Sequence, residues 1–235
     1  SNGPTFAFHY LSELLSDECF GGGGNADARN TQVVDRFDIG EDNSQLNLHN
    51  TLWKSYYSAI YLVNQLIKEE NNIAWTSDAT HGRIIGEAKA MRGILYFDLA
   101  RVFENVPLIT TPTTANVPQA PVDSVYAQIF TDLKYAAENI PADAYPKAQS
   151  ATNDGRITCF AAKAMMGRAY LFYTGVYGKN PVFTDQTEVT KEYVLQGLED
   201  VIASGEYDLV PLFKNLWYCA STKWEQKAEI GRAHV

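Results

Sequence analysis

Four consecutive glycines, Gly21 to Gly24, are the residues here best suited by type to cradle an anion. A phosphate loop also needs a strand before it and Gly-Lys-Ser/Thr at its end, so that backbone N–H groups and a lysine converge on the ligand. Here Asn25-Ala26-Asp27 follows and a helical pattern precedes, so a flexible loop is expected. Carboxylates gather nearby as Asp17-Glu18, Asp35, Asp38 and Glu41-Asp42. Two carboxyl groups facing across a cleft could hydrolyse a glycosidic bond. Clustered oxygens could instead hold calcium, although the spacing lacks the Asp-x-Asp-x-Asp-Gly loop with its closing Glu. A solvated acidic loop is the plainest reading. His9, His49, His81 and His234 are scattered, with neither His-x-x-x-His nor His-Glu-x-x-His spacing, which gives no support to a metal hydrolase. Cys19, Cys159 and Cys219 lie too far apart for a disulfide framework or a zinc site. No Gly-x-Ser-x-Gly elbow occurs. The expectation is therefore no catalytic residue, no metal and no cofactor.

Composition narrows the partners. The chain has 235 residues and a formal charge of -9, which argues against nucleic acid, because phosphate binding needs clustered Lys and Arg. An anionic membrane surface is disfavoured for the same reason, and neutral ligands such as sugars stay open. Tyr (14), Phe (11) and Trp (4) are abundant; most are expected as fillers between helices, though pyranose C–H groups also stack on aromatic faces. No stretch approaches the roughly 18 apolar residues of a membrane span. The chain opens Ser1-Asn2-Gly3-Pro4, with no signal-peptide pattern, so it is expected to be either cytoplasmic or trimmed at its N-terminus.

The elements that must carry any site are helical. Trp53, Tyr56, Ile60, Val63 and Ile67 recur at steps of three and four, as do Ile84, Ala88, Met91, Leu95, Leu99 and Val102. Tyr126, Ile129, Leu133, Ala137 and Ile140 make a third face, and Ala161, Met165, Ala169, Phe172 and Val176 a fourth, with Thr158 as its cap. Cys159, inside that pattern, is expected to be buried. Shorter helices are expected over 6–15 and 190–204, the latter stopped by Gly205. Ala88-Lys89-Ala90-Met91-Arg92-Gly93 returns as Ala162-Lys163-Ala164-Met165-Met166-Gly167, each after a helix with a Tyr-x-x-Ile start. This predicts an all-α protein of repeated, tetratricopeptide-like helical hairpins, over about 46–104 and 122–177. Ala88, Gly93, Ala162 and Gly167 would let partner helices approach closely. Residues 21–50, the Pro-rich 106–122 and 141–157 are expected as long irregular loops, where binding sites concentrate.

The hairpin residues resemble a known family. Glu87-Ala88-Lys89-Ala90-Met91-Arg92-Gly93, running on through Tyr96, Phe97, Leu99, Arg101 and Phe103 to Val106-Pro107-Leu108, is similar to the signature helix of SusD/RagB proteins. In order along the chain, Ser16-Asp17-Glu18, Trp53-x-x-x-Tyr57-x-x-Ile60-x-x-x-Asn64, Tyr126-x-x-Ile129-x-x-Asp132-Leu133, Gly155-Arg156-Ile157-Thr158 and Ser204-Gly205-x-Tyr207-x-Leu209 also resemble that family's motifs. The resemblance covers residues 6–225 or so.

It implies a non-enzymatic receptor, lipid-anchored on the outer face of a Bacteroidetes-type outer membrane. Such a receptor binds glycan and delivers it to a SusC-like TonB-dependent transporter. On that resemblance residues 1–230 are the N-terminal part of a longer SusD-like domain whose anchor cysteine is absent, and residues 231–235 are a non-native tail read from a sequencing adapter. The expected ligand-binding residues are Asp17, Glu18, Arg36, Asp42, Asn43 and His49 in the first long loop, and Trp75 as a stacking face. Two rival readings are a tetratricopeptide-type adaptor for peptides and an all-helical glycosidase.

Overall fold

The computed structural model describes residues 3–16, 18–24, 26–38, 48–144, 155–181, 189–207 and 209. The expected tail and Cys219 lie outside them. The chain divides into two compact units, residues 1–60 and 61–235.

In the first unit, α1 (Pro4–Leu14) and α2 (Arg29–Asp35) pack together, and α3 (Leu48–Glu69) begins. Ala7, Leu11 and Leu14 form the buried stripe of α1 at helical spacing. Leu48, Leu52, Tyr56 and Ile60 do the same on α3. The helix α2 falls inside the expected irregular loop. Its run of Thr, Val and Asp is poor in helix formers, so the helix depends on tertiary contacts that a local pattern does not display.

In the second unit, α4 (Asp78–Phe103), α5 (Val122–Asn139), α6 (Cys159–Tyr177) and α7 (Lys191–Ala203) each pack on the next. This is the all-α hairpin architecture expected. Three helix starts are capped through a side-chain oxygen: Ser77, Thr158 and Thr190 accept from the N–H groups of Thr80, Ala161 and Tyr193 at 3.1, 3.0 and 3.1 Å. The Thr158 cap, the burial of Cys159 and the left-handed Gly205 (φ 66°) match the sequence expectations. The core between α4, α5 and α6 is largely aromatic, with Phe97, Tyr126, Phe130 and Tyr173 all sealed from solvent. Each such side chain contributes about 1.5–3 kcal/mol on burial, and tilted or edge-on ring pairs such as Tyr126–Tyr173 at 4.8 Å add to it.

Two expected faces are met in part: Ala88, Leu95 and Leu99 on α4 and Ala161, Met165 and Ala169 on α6 are buried as expected, but one expected residue of each is exposed. On α4, Met91 is 40% exposed, and the buried line runs Ile85, Ala88, Arg92, Tyr96, Leu99. Apolar periodicity skipped position 92 because it is charged, and took the neighbouring Met instead. On α6, Val176 is 59% exposed, while Ala162, Met166, Ala169 and Tyr173 face inward. Here the large ring of Tyr173, not the smaller apolar residue, fills the interface with α5.

Between α4 and α5 the Pro-rich segment runs out and back. A two-residue antiparallel ladder pairs Val106 with Ala120 and Pro107 with Gln119. Asn105 closes the base by accepting the Val122 N–H on Oδ1 at 2.9 Å.

Candidate functional site

Polar chemistry concentrates in two places among the described residues. One is sealed and the other open. In the sealed one, Arg92 of α4 is 4% exposed and Asp132 of α5 1%. The guanidinium donates from Nε and Nη2 to Oδ2 and Oδ1 of Asp132, each at 2.8 Å, the bidentate geometry that suits arginine and carboxylate. Its Nη1 donates to Oδ1 of Asn64 (2.7 Å) and to the Thr110 carbonyl (3.2 Å). Asn64 Nδ2 donates to the Ile109 carbonyl at 2.8 Å, and Tyr96 Oη donates to the same oxygen at 2.9 Å while accepting the Ile109 N–H at 2.8 Å. Burial pushes the Tyr96 hydroxyl up to about 12, which keeps its proton in place for that bond. Burial likewise raises the Asp132 carboxyl, and the Arg92 guanidinium opposes the rise. These groups are spent on one another. They tie the Pro-rich segment to three helices and position it, with no reactive group left over.

The open place is a cleft of about 340 Å3 in the first unit, between the glycine run and α2. Phe20, Gly22, Gly23, Gly24, Gln32, Asp35 and Arg36 line it. The glycine run is a loop, as expected, and it lies against α2 and the turn before it. Gly21 N–H donates to Oδ2 of Asp35 at 3.0 Å, Gly23 N–H to Oδ2 of Asp27 at 3.0 Å, and Gln32 Nε2 to the Gly24 carbonyl at 2.7 Å. Thr31 Oγ1 donates to the Gly21 carbonyl, and Gln32 Nε2 also to that of Asp27. The approach is so close that a Cβ at Gly21 would lie 2.6 Å from the Thr31 carbonyl oxygen. Any larger residue would push the loop off the helix. Gln32 also accepts from Arg36 Nη2 on Oε1, which fixes the guanidinium at the cleft wall. Phe20 is 89% exposed, a flat apolar ring on a polar rim.

Of the residues expected to bind ligand, Arg36 lines this cleft. Asp17, Asp42 and Asn43 lie outside the described residues. Glu18 is exposed, its N–H donating to Ser16 Oγ at 3.3 Å. His49 is exposed in the first turn of α3, with enough protein around its ring to lower its pKa by desolvation. Trp75 belongs to the second unit, where Nε1–H donates to the Glu70 carbonyl at 2.9 Å and the ring meets His81 at 5.0 Å. His81 in turn contacts Glu70 Oε1 at 2.7 Å, so this cluster closes the turn between α3 and α4. Phe20, Gln32 and Asp35 were not among the expected residues. Their signals in the sequence were an aromatic residue directly before a glycine run and, for Asp35, its place among the carboxylates gathered near that run. Among the described residues no group of three or more His, Cys, Asp or Glu is placed to hold a metal ion, and no helix is long and apolar enough to cross a membrane.

The family model for SusD-like proteins, described as "Starch-binding associating with outer membrane", matches residues 24–171. A SusD-like protein of Bacteroides ovatus is 26% identical over 171 residues, covering 70% of this chain and 29% of its own length. SusD-like protein P2 of Formosa agariphila is 24% identical over 143 residues, 59% of this chain and 28% of its own. Among solved structures, a laminarin-binding SusD-like protein superposes with a TM-score of 0.63 at 24% identity, over 94% of this chain and 48% of that one. Surface glycan-binding protein A of Bacteroides uniformis superposes at 0.68 and 21% identity, over 90% and 43%. At these identities the structural likeness establishes the fold. The chain spans less than a third of the curated relatives and less than half of these solved chains.

Proposed function

The chain belongs to the SusD-like family, and from that premise we propose that it is the N-terminal part of a non-enzymatic cell-surface glycan receptor. In this reading the whole protein is lipid-anchored on the outer membrane and passes bound oligosaccharide to a SusC-like TonB-dependent transporter. The observation that carries glycan binding is the cleft between Gly22–Gly24 and α2, where an exposed Phe20 ring stands beside Asp35 and Arg36. A pyranose offers an apolar C–H face and a rim of hydroxyls, each both donor and acceptor. Phe20 supplies a surface for the first, and the guanidinium and carboxylate supply a donor and an acceptor for the second.

Titration of the 235-residue chain with neutral oligosaccharides tests this. Phe20→Ala and Arg36→Ala should each weaken binding about tenfold, on the order of 1.4 kcal/mol, with helix content unchanged. No reducing ends should appear on prolonged incubation; their steady release, abolished by Asp35→Asn, would turn the reading to hydrolysis. Co-purification of the full-length parent with a SusC-like transporter tests the delivery step.

A further inference from the structure

We propose that this cleft selects neutral oligosaccharides and rejects chains carrying uronate or sulfate, with Asp35 as the residue that discriminates. The inference rests on the glycan reading above and adds a substrate class to it. Charge in the lining is balanced: Arg36 and Asp35 are adjacent in sequence, both face the cleft, and the other lining residues are uncharged. Both charges are also held in place. Oδ2 of Asp35 accepts the Gly21 N–H at 3.0 Å, and Arg36 Nη2 donates to Gln32. A neutral sugar can accept from the guanidinium through one hydroxyl and donate to the carboxylate through another. A ligand carboxylate or sulfate has only acceptors. It can use Arg36 but must leave Asp35, which is itself partly buried and held by the Gly21 N–H, facing a like charge.

The net charge of this stretch of sequence acts in the same direction. Residues 1–60 carry eight acidic side chains (Glu13, Asp17, Glu18, Asp27, Asp35, Asp38, Glu41, Asp42) against three basic ones (Arg29, Arg36, Lys54). Their net of -5 is more than half of the chain's -9 in about a quarter of its length. An anionic glycan therefore meets repulsion before it reaches Arg36, and that part of the selectivity is sensitive to salt.

The test uses the full chain and matched probes: neutral gluco-, manno- and galacto-oligosaccharides, and the same oligosaccharides oxidised to uronates at C6. At low salt the best neutral probe should bind at least about tenfold tighter than its oxidised counterpart, and the ratio should shrink as salt is raised. Asp35→Asn keeps an oxygen for the Gly21 N–H while removing the charge. It should strengthen binding of the oxidised probe and narrow the ratio severalfold. Equal or tighter binding of the oxidised probe by the unaltered chain overturns the selectivity and leaves glycan binding standing. So does a ratio indifferent to both salt and Asp35→Asn. If neither probe set binds, the glycan reading itself falls.

Discussion

Two helix interfaces built on the same repeat solve the same packing problem with opposite chemistry. Gly93 of α4 and Gly167 of α6 sit at matching places in the repeat, and each receives a leucine from the next helix, Leu133 of α5 or Leu198 of α7. One residue before each glycine stands Arg92 in the first interface and Met166 in the second, both buried. One residue before each leucine stands Asp132 in the first and Gly197 in the second. The edges differ in the same orderly way. Lys89 lies over the Tyr135 ring, 3.5 Å from its centroid, whereas the matching Lys163 pairs with Asp200 Oδ2 at 2.6 Å. The helix ends match in place and in the sign of φ but differ in residue and conformation. Glu104 ends α4 at φ 60°, ψ -86° and Gly178 ends α6 in the left-handed region at φ 63°, ψ 21°, each N–H donating to the carbonyl four residues back.

The difference shows what the charges are for. Met166 demonstrates that this position packs well with an apolar side chain. A buried ion pair is no better for stability than a well-packed apolar pair. What Arg92 does in addition is reach the Thr110 carbonyl and fix Asn64, which holds that of Ile109. The costlier chemistry appears where an extended segment, whose carbonyls have no helix to satisfy them, must be tied to the scaffold.

The contrast can be broken at its centre. Asp132→Ala leaves a buried guanidinium without its carboxylate and should cost about 3–5 kcal/mol in denaturant unfolding. Copying the second interface by adding Arg92→Met should recover most of that loss. A double variant as unstable as the sum of its singles would show that the two interfaces are not interchangeable. The glycines should part company next. Alanine at Gly93 would place Cβ 3.3 Å from the rigid Ile129 carbonyl oxygen and 3.2 Å from Leu133 Cγ, an overpacking of about 1–3 kcal/mol that the roughly 1 kcal/mol helix gain of alanine only partly offsets. At Gly167 the nearest atoms, at 3.1 and 3.3 Å, are methyl groups of Leu198 that can turn. There the roughly 1 kcal/mol helix gain of alanine over glycine should offset the contact. The melting temperature should therefore fall only for Gly93→Ala.

The helix ends give a smaller effect of opposite sign. Glu104→Gly should stabilise by about 1 kcal/mol, because a non-glycine residue at positive φ carries strain, and Gly178→Ala should destabilise by about the same amount. Equal shifts of the same sign would refute the correspondence. The smallest effect is on pH dependence, at the N-terminus of α5. Asp123 accepts from Lys179 Nζ at 2.7 Å and Tyr173 Oη at 3.0 Å, and Lys179 followed by Tyr173 holds its carboxyl below the ordinary value of 3.8. A depressed folded pKa adds stability that is present above the unfolded value and is lost as pH falls through the folded one. The group is well exposed, so the contribution is well under about 1 kcal/mol. Asp123→Asn should lower stability slightly at neutral pH, by well under about 1 kcal/mol, and match the unaltered chain once pH has fallen well below 4, so that its profile is flatter there.

How much of this was readable beforehand depends on how locally each feature is encoded. The long helices, the Thr158 cap, the Gly205 stop and the close approach at Gly93 and Gly167 were legible, because spacing, cap chemistry and side-chain size act within a few residues of sequence. On α4 the burial of Ala88, Leu95 and Leu99 was legible, but that of Arg92 was not, since it is apolar in neither type nor pattern and is buried only because Asp132, forty residues on, meets it. Helix α2 was missed because its residues favour no helix alone. Of the cleft, Arg36 was named from residue type, while Phe20, Gln32 and Asp35 became neighbours only when the glycine run folded back onto α2.

The sequence by itself determined the helical repeat, its punctuation and its family, all of which follow from short-range periodicity and residue size. Tertiary structure alone decided which charges are buried and which face water, and which side chains share the cleft. The physical reason is that desolvation and pairing are set by groups distant along the chain. Arg92 and Arg36 are the same residue type, yet a carboxylate from α5 seals one within the core, and a glutamine one turn away holds the other at an open surface.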